Sequence, residues 1–353
     1  MAAPVCSPVY SAASHSLARK QMLASAGPTD NAENIHSSFV DPSFDLDHTI
    51  FTTLRSLLKR ALTTARLNVR HEWKDQAARE VETIYASLIK PPPADDTALF
   101  KFMAEECDFG MEHADGSFMD HLHFCHEYSL LHFAQLHLIS LAPPMDKSLA
   151  FQASPRILLL HSILGVGTNC FPMRIEKLPT LASLLSETEM LHIEAFPAVL
   201  RLLVRGPLID ELERIAEEGK EIQKISFYRV IDNGHYSLSG EELWTHLNFH
   251  LIHALDFLPV LAWKETKHSD FMFHIFTRLY AIITRAAKLQ AHINFDLSWE
   301  RESIPGTRTT DLTHYLVDQI PSWVTLKAAR KTIEEYSAAV GHNLDFTITT
   351  KNQ

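Results

Sequence analysis

The run from Ile157 to Leu164 constrains the fold most. It is apolar at every position except His161 and Ser162, so a helix built from it is buried all round instead of on one face. Its ends are marked. Ser154-Pro155 supplies an N-cap followed by proline in the first turn, where the missing amide hydrogen costs nothing, and Gly165 and Gly167 end it.

Helical periodicity dominates the rest of the chain. Ile50, Leu54, Leu57, Leu58 and Leu62 recur at steps of three and four, and Trp73 to Ile89 continues in that pattern until Pro91-Pro92-Pro93 stops it. Thr97 to Glu106 is expected to form a short helix. Ser117 with Asp120 three residues later resembles a capping box and starts a helix near Phe118 that Pro143-Pro144 closes. Further helices are expected over Leu178 to Val204 and Ile209 to Tyr228, with a break at Gly206-Pro207, and the charged face of the second is read as solvated. Asp232-Asn233-Gly234 is a turn signal. Ser239 and Glu242 form another capping box that launches a helix to Trp263, and Phe271 to Ile293 and Asp311 to Val340 supply the last two. Strand alternation is almost absent and no repeat is evident, so the fold class expected is all-α.

Residues 1 to 45 mix Ser, Ala, Pro and Asn without periodicity and read as a disordered tail. The first 29 lack any acid and include Arg19 and Lys20, which is also the composition of an organelle transit segment. A cytoplasmic chain is the default expectation and the transit segment its alternative. A net charge of −11 argues against a general nucleic-acid binder, because phosphate affinity depends on clustered Lys and Arg. No run reaches the roughly 20 apolar residues that span a bilayer, so no membrane partner is expected. The four cysteines stand apart with no C-x-x-C pair, which indicates neither a disulfide framework nor a thiolate zinc site. No G-x-S-x-G elbow and no Gly-rich nucleotide loop occurs.

Histidine is 21 of the 353 residues and is dense between His113 and His161. At about 100° per residue, His121 falls on one stripe with Cys125, Tyr128 and His132, whereas His123, His126 and His137 project the opposite way and read as surface histidines. His161 is the one ring in an otherwise apolar helix, and a buried imidazole needs a hydrogen-bonding group or a metal at each nitrogen. His246, His250 and His253, spaced four and three, share a helix face suited either to metal ligands or to a border with solvent.

These motifs carry a resemblance. H-A-D-G-S-F-M-D-H-L from His113, L-L-L-H-S-I-L-G-V-G-T from Leu158 and S-L-S-G-E-E-L-W from Ser237 resemble an uncharacterised HD-like helical domain family, related to the HD-domain superfamily of metal-dependent phosphohydrolases. The likeness covers about residues 100 to 265. It implies an HD-like helical bundle at 46–265, with N-terminal helices included and a C-terminal helical extension at 266–353 packed on it. Carried across, His121 takes the first histidine, His161 the histidine of the His-Asp doublet and His253 roughly the place of the last aspartate. His113 becomes a further ligand or outer partner. Ser162 stands where the doublet has aspartate, and a hydroxyl is a much weaker ligand for hard cations, so the His-rich set favours Zn²⁺ or Fe²⁺ over Mg²⁺. Asp120 and Ser162 are the expected catalytic positions.

The function expected on this basis is metal-dependent hydrolysis of a phosphorylated small molecule. Three alternatives stay open: a metal-free module that binds a small molecule in the same pocket, a non-haem iron oxygenase, and an interaction scaffold using the helices after Phe271. Gly165-Val166-Gly167-Thr168 could let backbone approach an anionic substrate, but a helix C-cap explains the same residues.

Overall fold

The expected helices frame the computed structural model, which describes residues 96–107, 112–113, 116–133, 154–165, 173, 175–230, 232–257, 271–293, 322–339 and 341–351. In chain order these form α1 (Thr97–Glu106), β1 (Glu112–His113), β2 (Gly116–Ser117), α2 (Phe118–His132), α3 (Pro155–Leu160), α4 (Leu178–Ser183), α5 (Glu187–Arg205), α6 (Pro207–Glu218), β3 (Glu221–Tyr228), β4 (His235–Ser239), α7 (Gly240–Phe257), α8 (Phe271–Arg285), α9 (Ser322–Ala339) and β5 (Thr347–Lys351). The described chain is mostly helical with a small three-stranded sheet. The expected disordered tail, the two helices before Pro91 and the Gly165–Thr168 turn beyond its first residue lie outside the described residues. None of the described helices is long and apolar enough to cross a membrane.

The chain divides into two compact units, and the division falls inside α3 and α7. In the unit that holds α2 and α8, the two-residue strands β1 and β2 pair antiparallel, with His113 opposite Gly116. The helix that follows is buried on nearly every side from His121 to Ser129, with Leu122, Phe124, Cys125 and Tyr128 shielded from solvent. His126, expected at the surface, is buried as well, because both faces of α2 are covered and not only the stripe that carries His121. The Tyr128 hydroxyl donates to the His292 carbonyl at 2.9 Å. On α7, Asn248 holds the segment after α8: its Oδ1 accepts from the amides of Gln290 and Ala291, and its Nδ2 donates to the Lys288 carbonyl. An Asn side chain thereby satisfies backbone groups that no regular element reaches.

The other unit is centred on α5. Its start is a complete capping box, with the Ser186 hydroxyl accepting from the Glu189 amide and the Glu189 carboxylate accepting from the Ser186 amide. This box and the turn at Leu184–Ser186 break the helix that periodicity predicted as continuous over 178–204. From Met190 to Val204 almost every side chain is buried. Gly206, at φ 114, closes α5 and opens α6 with Pro207 in its first turn. The α6 helix is one-sided: Leu208, Ile209, Leu212 and Ile215 face inward, and Arg214 pairs with Glu211 and Glu218 on the solvated face.

The sheet departs from the all-α expectation. Residues 219–228 do not continue the helix predicted to Tyr228: Gly219 adopts the left-handed conformation at φ 64, and β3 begins at Glu221. The strand order is β4-β3-β5, antiparallel throughout, with Ile225 opposite Leu238 and Ile348. A register shift between Ile222 and Lys224 explains why the sequence conceals this strand. The extra residue places the buried Ile222 and Ile225 three apart, which is helix spacing, before strand spacing resumes at Phe227. The β3–β4 connection is the expected Asp232-Asn233-Gly234 turn, with Asn233 at φ 58. Arg229 grips it by two bonds to the Asp232 carboxylate and donates a third to the buried Glu194 of α5 at 3.0 Å.

The Ser239–Glu242 capping box forms as expected and starts α7. Gly240 sits so close to β3 that a Cβ there would lie 1.9 Å from the Ile222 carbonyl oxygen, a backbone atom at the bulge that has no room to give. Gly240→Ala is therefore expected to destabilise the protein by about 1–3 kcal/mol or more in urea unfolding. Gly219→Ala, which meets nothing within 4 Å but keeps a left-handed φ, is expected to cost about 1 kcal/mol. Equal effects would contradict this packing.

Candidate metal centre

The site begins with an edge-to-face pair. His121 on the first buried turn of α2 and His253 near the end of α7 have ring centroids 5.0 Å apart at 83°. His161, in the turn that directly extends α3, completes the group: one ligand nitrogen from each of the three residues lies within 4.8 Å of the other two. Relative exposures of 1%, 0% and 4% for His121, His161 and His253 put all three rings inside the core.

The three sequence candidates meet for separate local reasons. α2 is covered on both faces, α3 is apolar all round, and α7 carries its histidines on one face of a buried helix. That face, His246, His250 and His253, is buried throughout, so the reading in which these rings border solvent does not hold. Ser162 is also buried, at 1% exposure, and its hydroxyl has no hydrogen-bond partner among the described residues. A buried hydroxyl without a partner is uncommon because desolvation costs about 1–3 kcal/mol. Backbone places His113 in β1 and Asp120 in the first turn of α2, but their side chains lie outside the described ones.

The donor chemistry fits a borderline transition metal. Neutral imidazoles bind Zn²⁺ or Fe²⁺ well and hard Mg²⁺ poorly, and three protein ligands leave a position open for substrate. Nitrogens around a tetrahedral zinc stand about 3.3 Å apart, so rings now within 4.8 Å need shift by only about 1 Å to enclose an ion. Among the described residues no Asp, Glu or Cys joins the group. Cys125, buried on α2, and Cys107 form no disulfide among the described residues.

A second histidine pair, which the sequence reading missed, lies in the unit centred on α5. His192 and His246 stack at 18° with Nδ1 atoms 3.0 Å apart, both fully buried. Only one of the two Nδ1 atoms can carry the proton, so the contact fixes opposite tautomers. Phe196 touches both His246, at 5.6 Å, and the His161 ring, at 4.5 Å. His192 carries the same signal that singled out His161, a lone ring among apolar helix residues, in the stretch Met190-Leu191-His192-Ile193.

Comparison with protein-family models, with curated proteins and with solved structures finds no match to this chain.

Burial pushes the His192 imidazole down from 6.5 to about 3. The unfolded chain therefore takes up a proton there before the folded one does. Stability from this residue is fully present above about pH 6.5 and is lost as pH falls toward 3, at up to about 1.4 kcal/mol per pH unit. His192→Phe is expected to flatten the acid limb of the stability curve measured by denaturant at pH 4 to 7, and an unchanged slope would contradict the buried neutral ring.

Proposed function

We propose that His121, His161 and His253 hold one divalent transition metal, Zn²⁺ or Fe²⁺, and that the chain is an HD-like metal-dependent hydrolase acting on a phosphorylated small molecule. The observation that supports this reading is the convergence of three buried imidazoles from α2, α7 and the turn after α3. Such a metal, when bound, supplies Lewis acidity, polarising a phosphoryl oxygen and lowering the pKa of a coordinated water to about 7.

The chain's own groups do the rest. Burial of the three rings excludes bulk water and strengthens each electrostatic contact inside. Phe196, packed on the His161 ring, restricts its rotation. Ser162, next to a ligand and with a hydroxyl that finds no partner among the described residues, is assigned the hydrogen bond to a substrate oxygen in place of the doublet aspartate's charge. Asp120, adjacent to His121, is assigned proton acceptance or ring orientation, and His113 the role of outer partner or fourth ligand.

A second reading, a metal-free pocket that binds a small molecule, is favoured by that same serine, since loss of the bridging carboxylate weakens any hard-cation site. Metal analysis of purified protein separates the two. Stoichiometric zinc or iron is expected, with affinity lowered more than about 100-fold in His161→Ala, beyond the 10–100-fold that outer groups account for. Metal-free protein whose His161→Ala variant merely loses stability would sink the hydrolase.

A further inference from the structure

We propose that His342 is a pH-sensitive latch that docks the segment 341–351 on α5 and β3, closed while its imidazole is neutral and released when the ring takes up a proton. Two partners with fixed roles set the tautomer of this buried ring. The Tyr228 carbonyl can only accept, so the His342 Nε2 at 2.8 Å carries the hydrogen. The Arg201 guanidinium can only donate, so the His342 Nδ1, 3.4 Å from its Nη1, offers a lone pair. A second proton has to enter at that Nδ1. It turns the acceptor into a donor facing another donor and sets two cations against each other in the core.

The charged groups on the surrounding described elements do not offset that added charge. Arg205 of α5 brings a further cation, donating to the Leu344 carbonyl at 3.0 Å, and Glu334 of α9 is exposed and lies 4.0 Å from Arg205. Glu194 of α5 and Asp232 of the β3–β4 turn are both engaged by Arg229. His235 of β4, edge-on to the Tyr228 ring, and Asp345 of the segment itself are exposed, and Tyr336 of α9 acts on Arg201. Burial already pulls the Arg201 guanidinium down to about 9, so the site tolerates even its resident charge poorly. Beyond His342 the segment is held largely by polar contacts, among them the Asn343 amide donating to the Asn233 Oδ1 at 2.8 Å. In β5 only Ile348 is apolar, and it is half-buried, so release of the latch frees β5 and bares the edge of β3 that it covers. The closed latch binds fewer protons than the open one: closure is fully present above about pH 6.5 and weakens as pH falls below it.

The test is native-state hydrogen exchange of the full chain, read by mass spectrometry at about pH 7.5 and about pH 5.5 and corrected for the intrinsic pH dependence of amide exchange. Amides of 343–351 are expected to exchange about tenfold faster at the lower pH, the factor that one pH unit below the ordinary imidazole value supplies, with a smaller change in α5 and α6. His342→Gln keeps a donor at the Nε2 position and cannot titrate, so one corrected rate is expected for this segment at both pH values. That variant retains His192, whose own acid response acts on the whole unit and is thereby told apart. Arg201→Met removes the opposing cation and is expected to shrink the pH effect on the segment at least about threefold. If it fails to fold, His342→Gln decides. No acceleration in the wild type, equal acceleration across α5 and α6, or an undiminished pH effect in His342→Gln overturns the latch.

Discussion

Burying an imidazole creates a demand that apolar packing cannot meet, since each ring brings two nitrogens that must find partners or a metal. This chain buries His121, His126, His161, His192, His246, His250, His253 and His342 among its described residues. Two answers to that demand are visible. His192 and His246 share a hydrogen bond between their Nδ1 atoms, and the His342 Nε2–H donates to the Tyr228 carbonyl at 2.8 Å. His121, His161 and His253 bring one ligand nitrogen each within 4.8 Å of the other two, a group that could hold a metal ion.

Buried guanidiniums raise a similar demand elsewhere. Arg201, fully buried on α5, lies against Ser337 and His342 of the C-terminal segment, and burial pulls its guanidinium down to about 9. Arg229 has two carboxylates and ties α5 to the β3–β4 turn. Truncating one partner of such a buried ion pair costs about 3–5 kcal/mol, because the charge left behind stays desolvated. These contacts hold the sheet and α9 against α5.

Helix starts were the most legible part of the sequence. Ser154-Pro155, Phe118 and the Ser239–Glu242 box all open helices where their chemistry predicts, because capping is local and independent of the fold around it. The triad was legible residue by residue for a similar reason: His161 is conspicuous as the one ring in an apolar helix, and His121 by its place on one helical stripe with Cys125 and Tyr128. Tertiary packing hid the rest. The bulge at Ile222–Lys224 disguised β3 as helix, β5 alternates exposed and half-buried positions but has only Ile348 as an apolar residue to show it, and the burial of His126 depends on elements that cover α2 from both sides. His192 was passed over although its signal matched that of His161, because its partner His246 lies 54 residues away.

X-ray absorption at the metal edge of the purified protein tests the central claim most directly. The account predicts zinc or iron with a nitrogen shell at about 2.0–2.1 Å and the outer-shell scattering of imidazole rings. An edge without metal, or a shell made of sulfur or of oxygen alone, would contradict it.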